Sequence, residues 1–439
     1  MKRPRNLMWF VFCLLFLLVP LGPARGAEPP SKVYRWKLAT LAPKEFGFSK
    51  YAQEVIYPRL EAVSNGTVKV KVYWGGVMGD DEEYIKKMRI GQLQAAALSS
   101  QGTIMACPEF SVVELPFLFR SYSEVDYIRR KMFSTFEFLF KSHGFKLGSW
   151  IDQDFDPVYS RDIPIASLED FAKVRFGAAH GRMEEMLLKT LGTTSVPLNV
   201  PEAPAAIRAG VVNAGIAPTI FVVGAQLYTS YKYFTDIKIR YSPAATIITQ
   251  KAWSELPPKI QKAMDAENEQ GTRNLNAMIH NANEKFLKAL LEYGVKSVPV
   301  SPENLAKIKK RALTLYGQLA NDMFPLELLQ EITQYLAEYR AGKAETGKAS
   351  VSEPDQEADF FKPDDSANKN TAKRTWWEER KRQVAAVQTK LASLGLYTAR
   401  IDGVTGPRTK KAIETYQQSK GLEASGEITP ELLGSLGVK

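Results

Sequence analysis

The segment LEDFAKVRFGAAHGRMEEMLLKTLGTTSVPLNVPEAPAAIRAGVVNAGIAP, residues 168–218, is the stretch that decides the fold. Its pattern alternates between strand and helix, in the order strand 173–176, helix 181–191, strand 194–198, helical turn ending at Gly210 and strand 211–216. Apolar runs that alternate with helical periodicity are typical of mostly parallel sheets. The segment therefore predicts an α/β fold.

The same alternation extends over the chain from residue 32 to residue 341. Residues 34–41 predict an opening strand, and apolar side chains at helical spacing follow from Phe48 to Val63. Val68, Val70 and Val72 then alternate as a half-buried strand. About 310 residues are too many for one core, so two lobes are expected, with a ligand crevice near the carboxyl ends of the strands.

Arg175 is the residue in this segment that points to a function. A cation on an interior strand costs several kcal/mol unless an anion meets it. A carboxylate held by the guanidinium fork is the natural partner. The alternative is a structural ion pair between Arg175 and a carboxylate of the same lobe.

The N-terminus predicts export. Three basic residues, Lys2, Arg3 and Arg5, precede the apolar run 8–18. The sequence Ala-Arg-Gly follows at 24–26, with small residues at the two positions that a signal peptidase reads. This pattern predicts a cleavable signal peptide over residues 1–26 and an exported protein. The alternative is a membrane anchor, but the apolar run is shorter than the ~20 residues that a spanning helix needs.

Composition excludes several classes of protein. The net charge of +10 falls to +6 once the four basic residues of 1–26 are removed, and the basic residues form no dense cluster with aromatics, so nucleic acid is not an expected partner. Of two cysteines only Cys107 lies outside the signal peptide, which leaves no intramolecular disulfide. A small buried hydrophobe is the favoured role for Cys107.

The C-terminal part is organised separately. Residues 342–373 are rich in Lys, Glu, Asp, Ala and Ser and predict a flexible linker between a first domain at 27–341 and a second at 374–439. In the second domain, three helical patterns end at Gly395, begin at Pro407 and begin at Pro430. They predict a small all-α three-helix domain.

Several motifs of residues 34–330 resemble the solute-binding proteins of tripartite ATP-independent periplasmic (TRAP) transporters, C4-dicarboxylate-binding type. They are GDDE at 79–82, IGQL at 90–93, ELPFLF at 114–119, KVRF at 173–176, YSP at 241–243 and ELP at 255–257. The resemblance implies a two-lobed, type II-like fold that closes by a hinge over a small organic acid. It implies a membrane permease as partner and Arg175 as the carboxylate clamp.

Departures from the family pattern indicate the kind of ligand. The stretch that often carries a second arginine is Asp154-Phe155-Asp156 here, and a polar residue often found before the proline of 216–218 is Ala217. The pocket is therefore expected to be less polar, and to take a monocarboxylate with an apolar body. The predicted ligand residues are Arg175, Phe155, Phe176, Phe221 and Arg182. Phe155 and Phe176 could instead be lobe core, and Arg182 a surface charge.

The second domain resembles the peptidoglycan-binding-like family of three-helix modules. The matching residues include Val387-Gln388, Leu394-Gly395, Ile401-Asp402-Gly403, Gly406-Pro407 and Ala412-Ile413. The resemblance implies docking to cell-wall glycopeptide, with Asp402, Gly403 and Thr409 closest to the peptide stem. Alternatively, Asp402 and Thr409 only fix the turn and cap the helix.

No motif indicates catalysis. His143, His180 and His280 are too scattered for a His-rich metal site, and there is no cysteine pair, P-loop, G-x-S-x-G or G-x-G-x-x-G motif. No enzyme activity, cofactor or metal is expected. The favoured function is a transport receptor tethered to peptidoglycan; a ligand sensor and a structural wall-associated protein share its fold and stay open.

Overall fold

The computed structural model of the chain describes residues 32–45, 48–179, 181–320, 322–345, 370–401, 403, 407–422, 424, 426, 428 and 430–438. The predicted signal peptide, His180 and Asp402 lie outside the described residues. No helix in the described part of the chain has the length and apolar character required to cross a bilayer.

Nine strands form one sheet. They are β1 Tyr34–Thr40, β2 Val68–Tyr73, β3 Ala95–Leu98, β4 Phe145–Ser160, β5 Arg175–Ala178, β6 Thr194–Pro197, β7 Ala214–Ile216, β8 Tyr233–Thr249 and β9 Lys296–Ser297. The strand order is β2-β1-β3-β8-β4-β7-β5-β6, and β9 pairs with β8.

The helices fall into two groups: α1–α14 accompany the sheet, and α15–α17 form the C-terminal domain. They are α1 Phe48–Tyr51, α2 Tyr57–Val63, α3 Asp81–Arg89, α4 Ser100–Ala106, α5 Tyr122–Ser142, α6 Leu168–Phe171, α7 Arg182–Thr190, α8 Ala203–Arg208, α9 Thr219–Gly224, α10 Gln250–Ser254, α11 Pro258–Tyr293, α12 Pro302–Leu313, α13 Leu315–Leu319, α14 Leu326–Glu345, α15 Asn370–Ser393, α16 Pro407–Ser419 and α17 Pro430–Leu436. A π-helix spans Ala52–Ile56, and 3₁₀ helices span Pro108–Glu114, Val200–Glu202 and Leu227–Thr229.

The fold has two lobes, as predicted. The strands β1, β2 and β3 pair in parallel and belong to the first lobe, whereas β5, β6 and β7 pair in parallel and belong to the second. Two long antiparallel strands, β4 and β8, pair along most of their length and join the lobes. Because β4 contacts β7 while β8 contacts β3, both lobes share one hydrogen-bonded sheet.

Local sequence signals place the elements well. The Asp80 side chain caps α3 by accepting a hydrogen bond from the Glu83 backbone N–H, and Gly91 follows the helix at φ 79°. The predicted helix from Phe48 to Val63 is present but passes through a π-helical segment. The strand predicted over 211–216 is shorter and begins at Ala214.

The C-terminal domain has its own apolar core. The buried side chains that form it are Val387, Leu391, Tyr397, Ala412, Ile413, Tyr416, Leu432 and Leu436. All but Tyr397, which lies between α15 and α16, come from α15, α16 and α17, as predicted for a three-helix module. At the predicted linker, α14 continues to Glu345 and α15 begins at Asn370, so helix extends into both ends of 342–373. The domain limits otherwise stay predictions.

Candidate functional site

The two lobes and the crossing strands meet at a group of buried charges. We call Glu114, Asp156, Glu184 and Arg240 the interlobe cluster. Glu114 ends a 3₁₀ helix of the first lobe, Glu184 lies on α7 of the second lobe, and the other two lie on β4 and β8. The exposed fraction of each of these four side chains is at most 1%. A two-lobed fold that closes by a hinge places its ligand at this kind of junction.

Arg240 is at the centre of the cluster, opposite Asp156 in the strand register. Its Nε and Nη2 both donate to Asp156 Oδ2, at 3.1 and 2.6 Å, and Ser242 Oγ donates to the same oxygen at 2.6 Å. Arg240 is the only buried arginine in the part of the chain that the structure describes. The buried arginine on an interior strand is therefore Arg240 on β8, a residue that the sequence analysis did not predict.

The two glutamates approach Arg240 from opposite lobes. Glu114 Oε2 lies 3.6 Å from Nη1, and Glu184 Oε1 lies 3.9 Å from Nη2. Ser100 Oγ donates to Glu114 Oε1 at 2.6 Å. Three carboxylates around one guanidinium give the cluster an excess of negative charge when all are ionised.

Burial favours the protonated, neutral form of the carboxyl groups in the cluster. Burial is the main cause that raises the pKa of Glu114 to about 7, although the charge of Arg240 opposes it. Burial also raises the pKa of Asp156, again against the effect of Arg240. At neutral pH the Glu114 carboxyl group is therefore only partly ionised.

The hydrogen bonding of the cluster is incomplete. Arg240 Nη1, Glu114 Oε2 and Asp156 Oδ1 are buried and have no hydrogen-bond partner among the described residues. A buried polar atom without a partner costs about 1–3 kcal/mol. Arg240 Nη1 and Glu114 Oε2 face each other at 3.6 Å, beyond hydrogen-bond distance, so a molecule inserted between them would meet one donor and one acceptor, with Asp156 Oδ1 as a second acceptor.

Asp152 and Asp154 lie on β4 with Asp156, and we call these three acids the charged strip. The Asp152 carboxylate accepts hydrogen bonds from Arg129 Nη2 and from the Tyr241 hydroxyl, and Oδ2 lies 2.8 Å from His280 Nε2. Burial opposes ionisation of Asp152, but the charge of Arg129 and the hydrogen bonds from His280 and Tyr241 outweigh it and lower its pKa.

Asp154, the middle acid of the strip, anchors the second lobe. It accepts from the Thr219 backbone N–H at 2.8 Å and from the Tyr122 hydroxyl at 3.2 Å. Burial raises its pKa to about 6. Next to it, the Phe155 ring lies 5.0 Å from the Tyr122 ring and 5.7 Å from the Tyr241 ring. Phe155 thus forms part of an aromatic wall beside the charged strip.

Arg175 is not the interior cation that we predicted. It is exposed, its backbone N–H donates to Asn213 Oδ1 at 2.8 Å, and its Nη2 donates to the Gly210 carbonyl at 2.9 Å. The prediction of burial was wrong because Arg175 is the first residue of the short strand β5, where a side chain reaches solvent. Its role as a carboxylate clamp stays a prediction.

The other predicted ligand residues are dispersed. Phe176 is fully buried and stacks on Phe171 at 5.5 Å, within the core. Phe221 packs on the core cluster that includes Tyr159 in the second lobe. The side chain of Arg182 is 61% exposed and pairs with Asp322 at 2.5 Å. Of the predicted set, Phe155 lies on β4 itself, between Asp154 and Asp156.

In the C-terminal domain, Gly403 and Thr409 meet inside the fold. Gln388 accepts a hydrogen bond from the Gly403 N–H at 2.9 Å, and its Nε2 lies 3.1 Å from Thr409 Oγ1. Tyr397 OH lies 3.2 Å from the same Nε2. Because these groups are buried, the geometry favours the alternative in which Thr409 supports the turn.

Comparison with known proteins decides the family. Residues 40–322 match the family described as "Bacterial extracellular solute-binding protein, family 7". The chain belongs to this family. The solute-binding protein is therefore a periplasmic receptor of the TRAP type, and its family is one of receptors for transport. Residues 380–436 match a "Putative peptidoglycan binding domain".

Individual relatives agree with this assignment. The C4-dicarboxylate-binding periplasmic protein DctP of Rhodobacter capsulatus is 22% identical over 275 residues, which cover 61% of this chain and 79% of DctP. A TRAP periplasmic solute-binding protein of Sulfurospirillum deleyianum, solved with succinate, has a TM-score of 0.63 at 20% identity and covers 69% of this chain and 99% of its own. The sugar-acid-binding protein DctPAm of Advenella mimigardefordensis, solved with galactonate, has a TM-score of 0.65 at 19% identity and covers 70% and 99%. At these identities the structural likeness concerns the fold.

Sequence reasoning missed most of the junction. Glu114 was noticed only as part of the ELPFLF motif, and Arg240 directly precedes the YSP motif. One signal was available: Asp152, Asp154 and Asp156 recur at every second position of an apolar strand, which places three acids on one face. Such a pattern on an interior strand demands buried partners.

Proposed function

We propose that this TRAP-type receptor captures a small monocarboxylate between its lobes, with Arg240 as the anchor of the ligand carboxylate. The observation that carries the proposal is the open donor Nη1 of a fully buried arginine at the lobe junction. A guanidinium in a dry site binds carboxylate more strongly than an exposed one does. Arg175, exposed at the start of β5, is the competing anchor.

The open acceptors of the cluster suggest what else the ligand carries. Glu114 Oε2 and Asp156 Oδ1 need donors, and hydroxyl groups near the ligand carboxylate would supply them. The sequence favoured an apolar body, but the polar junction favours a hydroxylated one beside the aromatic wall of Phe155 and Tyr241. The succinate and galactonate of the structural relatives show that this fold accommodates small organic acids.

Closure would follow from the position of the cluster. Because Glu114 and Glu184 come from different lobes, separating the lobes would expose Arg240 to solvent. Ligand entry would occur in that open state, and closure would bury the new ion pair. The closed form would then be recognised by a membrane permease.

A matched pair of acids tests the ligand class. Gluconate and hexanoate are both six-carbon monocarboxylates and differ in their hydroxyl groups, and succinate adds a dicarboxylate. Thermal-shift and calorimetric titrations of the purified protein should show gluconate binding more tightly than hexanoate, because only gluconate supplies donors to the acidic side chains. Tighter binding of hexanoate would restore the apolar-body proposal, and tighter binding of succinate would contradict a monocarboxylate receptor.

Two lysine variants test the anchor. Arg240→Lys keeps the charge and loses the fork, so we expect about 10- to 100-fold weaker binding, the loss of one charged hydrogen bond. Arg175→Lys and Arg175→Ala should bind like the parent protein. Circular dichroism should first show that all three variants are folded. If the Arg175 variants then lose binding and Arg240→Lys does not, the clamp is Arg175.

We further infer that the C-terminal domain tethers the receptor to peptidoglycan. The family match over residues 380–436 and the separate core of α15–α17 support this proposal. Tethering raises the local concentration of receptor near the envelope without a new contact. Asp402 would contact the polymer, and Gly403 and Thr409 would stabilise the turn that carries Asp402. Deletion of residues 374–439 should abolish sedimentation with purified cell-wall sacculi, and Asp402→Asn should weaken it; undiminished sedimentation of the deletion protein would refute the tether.

A further inference from the structure

A second cluster of reactive side chains lies in the first lobe, apart from the interlobe cluster. It consists of Cys107, Glu109 and His143, whose ligand atoms all lie within 4.8 Å of one another. The sequence predicted no metal site, since the histidines are scattered and no cysteine pair exists. We propose that these three side chains bind a zinc ion.

The distances suit tetrahedral coordination. Cys107 Sγ lies 3.5 Å from Glu109 Oε2, and His143 Nε2 lies 2.8 Å from the same oxygen. Zinc bonds of about 2.3 Å to sulfur and about 2.0 Å to nitrogen and oxygen place tetrahedral ligand atoms about 3.3–3.5 Å apart. The sulfur–oxygen separation is already correct, and the 2.8 Å nitrogen–oxygen separation has to widen by about 0.5 Å for the ion to be held by both atoms.

The three ligands are held by the ends of regular elements. Cys107 follows α4, and its N–H donates to the Thr103 carbonyl at 3.0 Å. Glu109 lies two residues later in the 3₁₀ helix, and the His143 N–H is bonded to the carbonyls of the last turn of α5. These backbone bonds position the ligands before an ion arrives, which lowers the entropic cost of binding.

The charges and ligand types also match. A thiolate and a carboxylate neutralise one Zn²⁺, and a neutral imidazole completes the set, so the loaded site carries no net charge beside the apolar core. A thiolate with an imidazole selects zinc over the harder ions magnesium and calcium. The His143 and Glu109 side chains are 16% and 20% exposed, which gives a water molecule access to the fourth position.

The competing explanation is a hydrogen-bonded group without metal. In that case His143 Nε2 is hydrogen-bonded to Glu109 Oε2, and the Cys107 thiol donates to the same oxygen. The two explanations differ in the state of the sulfur, because only a metal converts the Cys107 thiol into a bound thiolate. The experiment must therefore observe the sulfur–metal bond.

Cobalt is the spectroscopic probe of choice, because Co²⁺ replaces zinc in thiolate sites and absorbs light. The purified protein, reduced and stripped with a chelator, is titrated with Co²⁺ and then with Zn²⁺. We expect one ion per chain, a thiolate-to-cobalt charge-transfer band, visible bands of tetrahedral intensity, and loss of these bands when Zn²⁺ displaces Co²⁺. This measurement needs no variant and therefore no assumption about folding.

Variants identify the ligands. Cys107→Ser and His143→Gln should each weaken Zn²⁺ binding by more than about 100-fold. This loss exceeds the one expected for a residue that only hydrogen-bonds to a metal ligand. His280→Gln and Glu284→Gln are the matched controls and should bind Zn²⁺ like the parent. Absence of the charge-transfer band, or a band that survives in Cys107→Ser, would overturn the proposal.

Discussion

The substitution Glu114→Gln tests whether the pKa of Glu114 is raised in the interlobe cluster. Burial raises the pKa of Glu114 to about 7 from its ordinary value of 4.5. Between these two values the folded protein binds more protons at this group than the unfolded chain does. The free energy of unfolding therefore decreases as the pH rises from 4.5 to 7. Glutamine has nearly the shape of glutamic acid and does not titrate.

The magnitude follows from the shift. From pH 5 to pH 8, the change in protonation at Glu114 removes about 2–3 kcal/mol of stability from the parent protein. We therefore expect Glu114→Gln to change from nearly neutral at pH 5 to stabilising by about 2–3 kcal/mol at pH 8, relative to the parent at the same pH.

Urea unfolding followed by tryptophan fluorescence provides the assay, because Trp150 is fully buried in the receptor core. The control is Glu284→Gln, the same change at an exposed position of α11. Its effect should be within about 0.5 kcal/mol at both pH values. A Glu114→Gln effect that does not change with pH, or that becomes more destabilising at pH 8, would refute the raised pKa and the excess negative charge of the cluster.

Further substitutions test packing and hydrogen bonding elsewhere. A methyl group on Gly102 would lie 2.6 Å from Asp81 Cβ, whereas at Gly317 no atom lies within 4 Å of the added carbon. In the same urea assay, Gly102→Ala should therefore lower the free energy of unfolding by about 1–3 kcal/mol, and Gly317→Ala should not. Gln388→Met leaves the buried Gly403 N–H without its acceptor, so it should destabilise the C-terminal domain by about 1–3 kcal/mol in calorimetry, while Gln418→Met on the exposed face should not. Equal effects within either pair would contradict the assigned contacts.

The local sequence was sufficient to predict elements whose apolar periodicity or capping residues lie within a short stretch of chain. The alternation of strands and helices from residue 32 predicted the two-lobed α/β fold, because apolar periodicity reports which face of an element is buried. The Asp80 cap and the starts of the C-terminal helices at Pro407 and Pro430 were predicted because capping depends on a few neighbouring residues.

The functional site could not be predicted in the same way. The KVRF pattern indicates a strand, but the exposure of Arg175 depends on its place at the start of β5. Glu114 and Arg240 are 126 positions apart (240 − 114), and Cys107 and His143 are 36 apart (143 − 107). Burial and pairing of such groups depend on long-range packing. The sequence by itself determined the class of receptor and its elements, and only the tertiary structure decided which charges meet between the lobes.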